Sequence, residues 1–172
     1  MSGHAYLTFF DDAPGESPAV GHEDWIELLS WNWGVTAQVG PGGPGGGPGG
    51  GSGGGAGRPD PSALVWEHVF DAASTRLLGF VASGRRIRKA ELHVTRGGGH
   101  GGRDAWLVVT MEDLVVTSVH TTGSADGEVE QTVGMEFRSV KFAYRRQRPD
   151  GTLAEPMTFS WNVATGAVGT TP

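Results

Sequence analysis

The sequence predicts a mainly β chain, a single domain over residues 1–172 built as two packed sheets or a barrel, with one α-helix. Three observations predict it. Runs with period-two alternation recur roughly seven times along the chain. Only one segment carries helical spacing. The longest alternating stretch, Trp106 to Tyr144, changes its inward parity twice. Up to Glu112 the larger apolar residues of that stretch are Leu107, Val109 and Met111, and beyond Asp113 they are Leu114 and Val116. On the return limb Val133, Met135 and Phe137 give way to Val140, Phe142 and Tyr144, so the second switch falls between Arg138 and Ser139. Side chains alternate faces with a period of two, so a switch of parity requires a bulge or a strand that bends from one layer into another.

The two switches test each other. Folded as one hairpin about Ala125 and Asp126, the limbs pair Leu107 with Tyr144, Val109 with Phe142, Met111 with Val140, Leu114 with Phe137 and Val116 with Met135. Every facing pair is then apolar, and each contributes about 0.2–1 kcal/mol over an alanine pair. A slip of one residue would put the partners on opposite faces. The result is a bent hairpin serving two packed sheets or a barrel.

From the start of the chain, Ala5 to Phe10 reads as a first strand, ended by the turn residues Asp11, Asp12, Pro14 and Gly15. Trp25 to Thr36 reads as a second strand holding three of the six tryptophans, with bulky residues on both faces. Such a strand is either buried on both sides, as aromatic core packing, or meets another subunit on one side. Gly40 to Gly57 is almost wholly glycine, with Pro41, Pro44 and Pro48 spaced through it. Ordering these residues would cost on the order of 18–36 kcal/mol in backbone entropy with almost no side-chain burial, so disorder is expected in the isolated chain. As a flexible coil the segment spans about 23 Å, far enough to reach a neighbouring subunit. Its matches to the nucleophile-elbow pattern at Gly50 to Gly54 and to the dinucleotide glycine pattern lack a strand-turn-helix context and are coincidences of low complexity.

Order resumes with a strand at Ala63 to Phe70. A helix follows, capped by Asp71, striped by Ala73, Leu77, Phe80 and Val81, broadened by Leu78 and stopped by Gly84. Ile87 to Arg96 is the next strand, Gly97 to Gly102 a loop leading to Trp106, and Met157 to Val163 a last strand.

Composition excludes several roles. Length and 37% hydrophobic content suit one domain with a sizeable core. A formal charge of -6 speaks against a nucleic-acid backbone as the main partner. There is no cysteine for disulfides or thiolate chemistry, no signal-peptide pattern at the start, and no apolar run of about 18 residues to insert in a membrane. No catalytic, cofactor-binding or metal site is expected. His4, His22, His68, His93, His100 and His120 are scattered, each expected to be solvated or singly bonded. Asp11-Asp12 and Glu112-Asp113 are adjacent pairs read as a turn and a bulge. The acidic turn Asp126 to Glu130 lacks calcium-loop spacing. Arg145, Arg146 and Arg148 read either as a solvated strand end or as an interface patch, and Arg85, Arg86, Arg88 and Lys89 carry the same two readings.

Several segments together carry a resemblance. They are Ala5 to Phe10 with the turn ending Gly15-Glu16-Ser17; Trp25-Ile26-Glu27-Leu28 and Trp31-Asn32-Trp33-Gly34; Phe70 to Ser74 through Leu77, Leu78 and Ala82 to Arg85; Leu114 to Val119; Val140 to Tyr144; and Thr158 to Asn162. In order and spacing the chain resembles, over nearly its whole length, the Hcp family, the tube protein of bacterial type VI secretion systems. The resemblance implies a two-sheet pseudo-barrel with a flanking helix that assembles into six-membered rings. It also implies stacking of those rings into a hollow tube, driven by a contractile sheath, tipped by a spike protein and carrying effectors in its lumen. Synthesis in the cytoplasm and export through the apparatus without a signal peptide follow from the same resemblance. Trp31, Trp33, Arg145, Arg146 and Arg148 are the candidate subunit-interface residues. The departure is the glycine segment, since the family's connection there is a polar, ordered loop that contributes to stacking. Two other readings stay open: a tail-tube protein of another contractile, phage-like particle, and a tryptophan-rich β-sandwich carbohydrate-binding module with an exposed aromatic platform. An enzyme is the least favoured reading.

Overall fold

The computed structural model describes residues 3–38, 57–97 and 104–172. Expectations for Gly40 to Gly57 and for the loop at Gly97 to Gly102 fall outside these residues, save for Gly57 and Gly97. The described residues form eleven strands and one helix: β1 Gly3–Thr8, β2 Ile26–Leu28, β3 Ser30–Asn32, β4 Val35–Thr36, β5 Asp60–Pro61, β6 Leu64–Val69, α1 Ser74–Ser83, β7 Arg86–Arg96, β8 Ala105–Gly123, β9 Val129–Tyr144, β10 Met157–Asn162 and β11 Val168–Thr171. Sequence reasoning finds fewer strands because β4, β5 and β11 are too short and polar to carry a period-two signal.

The β8–β9 hairpin pairs as the sequence predicts, with all five facing pairs from Leu107↔Tyr144 to Val116↔Met135 in place. The inward residues Val109, Met111, Leu114 and Val116 are buried, and parity changes at Asp113, whose φ of 52° makes the kink. Asp113 lies opposite Arg138 and the two are joined by an ion pair at 3.1 Å. The second switch coincides with an exchange of partners. Below it β9 pairs with β6 (Leu64↔Met135 to Val69↔Glu130), and above it with β10 (Asn162↔Ser139 to Met157↔Tyr144). The hairpin therefore bends between two layers, as a double change of parity requires.

Nine strands form the main sheet, in the order β11-β10-β9-β8-β7-β1-β2 with β6 and β3 branching from β9, while β4 and β5 form a second, two-stranded sheet. The main sheet curls into a barrel-like shape without closing, around Leu7, Phe9, Ile26, Leu64, Trp66, Met111 and their neighbours.

Some boundaries move. The first strand ends at Thr8, and Phe10, at φ 56°, opens a 3-10 turn with 45% of its surface exposed. The tryptophan run is three short strands: Ile26 and Leu28 are inward in β2, Leu29 turns outward, and Trp31 and Trp33 are inward after it. Bulk on both parities thus reflects a change of face, made where the chain leaves β1 for β6. The Leu29 N–H donates to the Glu67 carbonyl at the crossing.

Helix α1 packs on β8 through Ala73, Leu77 and Phe80, and Gly84 ends it at φ 62°. Asp71 serves the turn before the helix: its Oδ1 accepts from the Ala73 N–H at 2.9 Å, an Asx-type start to the first turn. Among the described residues no helix is long and apolar enough to cross a membrane.

Candidate assembly surface

The five interface candidates lie in two places. Trp31 pairs across from Trp66 in the β3–β6 ladder and packs against the core. Trp33 lies near Phe142 (ring centroids 5.4 Å), Phe137 (5.8 Å) and Trp161 (6.5 Å). Its buried indole Nε1 has no hydrogen-bond partner among the described residues. Trp161 in turn forms part of an apolar recess of about 320 Å³, lined also by Val35, Arg58, Pro59, Phe159 and Val163. The recess adjoins β11, which among the described residues pairs only with β10 and so ends the main sheet with an edge left open by them. Val168 on that edge is 65% exposed. Unpaired backbone beside an apolar recess is a surface suited to another chain.

Arg145, Arg146 and Arg148 are exposed just past the end of β9. A tight reversal holds them there: the Arg148 N–H donates to the Thr152 carbonyl and the Ala154 N–H to the Arg146 carbonyl, both at 2.8 Å. Arg145 shares a groove with Lys141 and Ala143, on the face of β9 opposite Phe142. The tryptophans and arginines are therefore separate surfaces. Three residues of the other basic run are engaged inside the subunit: Arg86 pairs with Asp113 at 2.9 Å and Lys89 with Glu91 at 2.9 Å, and Arg85 reaches Asp12 at 2.5 Å.

The histidines are less scattered in space than in sequence. His68 is buried and doubly bonded, which corrects the expectation of solvated or singly bonded rings: the Trp66 indole N–H donates to His68 Nδ1 at 3.2 Å, and His68 Nε2 meets Ser74 Oγ at 3.2 Å. Burial pushes the His68 pKa down to about 4. Asp71 sits 3.8 Å from His68 Nε2, and burial raises its pKa. The Ser-His-Asp trio has the wrong geometry for a nucleophile. The carboxylate bonds the serine instead of the second imidazole nitrogen, and Ser74 is fully buried. It is a structural tie between β6 and α1. His22 and His93 also meet, at 3.0 Å. Among the described residues no group of three or more His, Cys, Asp or Glu could hold a metal ion.

The tryptophans make no open platform of the kind a carbohydrate-binding module presents. Trp66 and Trp161 are buried, and Trp25, Trp31, Trp33 and Trp106 are half-buried. Sequence reasoning missed the open β11 edge and the recess beside it. Val168 to Thr171 carries no apolar alternation that could have announced them.

Known proteins match this architecture. A sequence model of the family described as type VI secretion system effector, Hcp, matches residues 6–146. Protein hcp1 of Pseudomonas aeruginosa is 29% identical over 154 residues, covering 88% of this chain and 90% of the relative. Among solved structures, Hcp1 from Salmonella typhimurium superposes with a TM-score of 0.73 at 27% identity, covering 98% of this chain and 100% of that one. A structure described as a type six secretion system protein reaches a TM-score of 0.85 at 22% identity with the same coverage. The match spans the bent hairpin, the flanking helix and the tryptophan crossing, and the chain belongs to the Hcp family of type VI secretion.

Proposed function

We propose that this chain is the structural tube subunit of a type VI secretion apparatus, acting as one domain over its whole length. Six copies close head to tail into a ring, and rings stack into a hollow tube. The observation that carries the reading is the match to the Hcp family over residues 6–146 together with the shared fold. The open β11 edge, the recess beside it and the unpaired Trp33 indole support a subunit that completes itself against a neighbour.

In this reading Trp31 and Trp33 buttress the ring contact, and Arg145, Arg146 and Arg148 serve a separate contact between copies. The spike protein, the contractile sheath and effectors carried in the lumen are its partners. The chain is made in the bacterial cytoplasm and leaves through the apparatus. Its work is structural and uses no cofactor. The segment Gly40 to Gly57 either contributes to stacking within an assembled tube or merely extends the connection.

Negative-stain imaging of the purified protein tests the reading. Rings with a central hole, stacking at high concentration, are expected. Solitary compact particles at every concentration would overturn it. Deleting Gly42 to Gly55 should leave rings and weaken stacking, and unchanged tube formation would remove the stacking role.

A further inference from the structure

The segment Ala13 to Trp25 leaves the barrel and returns as a closed loop. Its own backbone staples it: the Gly15 N–H donates to the Asp24 carbonyl at 2.7 Å, the Ser17 N–H to the Trp25 carbonyl at 2.9 Å and the Asp24 N–H to the Ser17 carbonyl at 2.9 Å. A Cβ on Gly15 would stand 2.5 Å from the Trp25 carbonyl oxygen, so this close approach requires glycine. Ala13 joins the core at its start, Ser17 is buried, Glu16 Oε2 accepts from the Ala72 N–H at 2.9 Å and Trp25 lies 4.5 Å from His93; the titratable side chain that ties the loop to the sheet, almost fully buried, is His22. Its ring stacks on Tyr6 of β1 at 4.5 Å and meets Trp25 edge-on at 4.8 Å. Its Nε2 lies 3.0 Å from Nδ1 of His93 on β7. Tyr6 and His93 are register partners on the face of the sheet opposite the core residues Leu7 and Leu92.

We infer that His22 and His93 form an acid-released latch that holds the Ala13 to Trp25 loop on the sheet. The proton positions follow from the neighbours. Glu91 Oε2, 3.3 Å from His93 Nε2, only accepts, so in the neutral ring that nitrogen carries the proton. His93 Nδ1 is then the acceptor and His22 Nε2 the donor. One added proton is tolerated, because an imidazolium and an imidazole still share a hydrogen bond. A second places N–H against N–H and two like charges at 3.0 Å, and the contact is lost.

The surroundings set where this happens. Burial lowers the His22 pKa, with His93 adding to the effect and Glu23 opposing it. Burial also lowers that of His93, against Glu91. Glu91 is shared with Lys89, whose Nζ is 2.9 Å from its other oxygen, so it stabilises a charged His93 only in part. From β1 and β2, Tyr6 brings its phenol, and Glu27 is engaged by His4 at 3.0 Å. The groove beside the pair holds Lys141 and Arg145 against a single carboxylate, Asp104. The added charge is therefore poorly compensated. Both folded pKa values lie below the ordinary value of 6.5, so the latch is closed above about pH 6.5 and opens as pH falls below it.

Hydrogen exchange of the full-length protein at pH 7.5 and pH 5.0, corrected for intrinsic rates, tests the latch. The amides of Gly15, Ser17 and Asp24 should lose protection at least about tenfold at the lower pH, while those of Leu92 and Met111 stay protected. In His93→Gln an amide oxygen accepts from His22 Nε2 whether or not His22 is charged, and only His22 is left to titrate, so the acid response should shrink markedly. Equal protection at the two pH values, or an undiminished acid response in His93→Gln, would overturn the proposal. If that variant does not fold, NMR titration of the two imidazoles in the unaltered chain decides. Coupled titration with both midpoints below 6.5 supports the latch, and two independent titrations at ordinary values refute it.

Discussion

From Leu107 to Val116 the β8 strand faces Met135 to Tyr144 in the register that apolar pairing dictates, whereas from Ser118 to Gly123 it faces Val129 to Gly134 one residue out of that register. The slip occurs between Val116 and Ser118. In the first half both strands turn apolar side chains into the core. In the second half β9 is still covered, with Gln131 and Val133 buried under the β6 ladder, but β8 is exposed from His120 onward. Register is specified by what a slip would bury or expose. Where one strand of the pair has nothing to bury, a bulge costs little, and Gly134 opposite Ser118 leaves room for it.

Four experiments sharpen or break this contrast. Truncating the covered half should cost most: Met111→Ala is expected to lose about 2–5 kcal/mol in denaturant unfolding, since a fully buried side chain leaves a cavity. A loss under about 1 kcal/mol would mean that the hairpin base is not core. The covered side of the outer half should reveal itself in acid. His68, register partner of Gln131, has a folded pKa of about 4 against the ordinary 6.5. As pH falls below about 6.5 the unfolded chain takes up the proton first, so stability is full above that value and declines towards pH 4, by about 3 kcal/mol in all. His68→Gln should flatten that part of the pH profile. An unchanged slope would place the acid response elsewhere.

The bulge itself should be sensitive in one direction. A Cβ at Gly134 would come within 2.6 Å of Ser118 Oγ, so Gly134→Ala is expected to cost about 1–3 kcal/mol. Adding Ser118→Ala should return part of the loss, and strictly additive effects would show that the two residues do not meet. The exposed half should barely respond: Thr122→Ala is expected to fall within about 0.5 kcal/mol of the parent, and a larger change would reveal a contact that the subunit alone does not make.

The same contrast explains what was legible in the sequence. The bent hairpin, the helix stripe and its Gly84 stop were readable because each is a local periodicity that burial enforces. The end of β1 was misjudged because Phe10 looks like a strand residue, yet it sits in the left-handed region beyond Thr8. The tryptophan run was read as one strand because a change of facing partner leaves the same mixed pattern as burial on both sides. The short strands β4, β5 and β11 exist only through their partners, so four or fewer residues could not announce them.

The candidate surface was half legible. The aromatic character of Trp31 and Trp33 was plain, but the seat of Trp33 against Phe142 and Trp161 depends on β10 folding back from the other end of the chain. The meeting of His22 with His93, and the seating of His68 between Trp66 and Ser74, are tertiary facts that no spacing encodes.

A chain that works through contact with its own copies should be found assembled in solution. Light scattering coupled to size separation should give a species of six times the 18.0 kDa chain that persists on dilution. A mass of one chain at every concentration would contradict it.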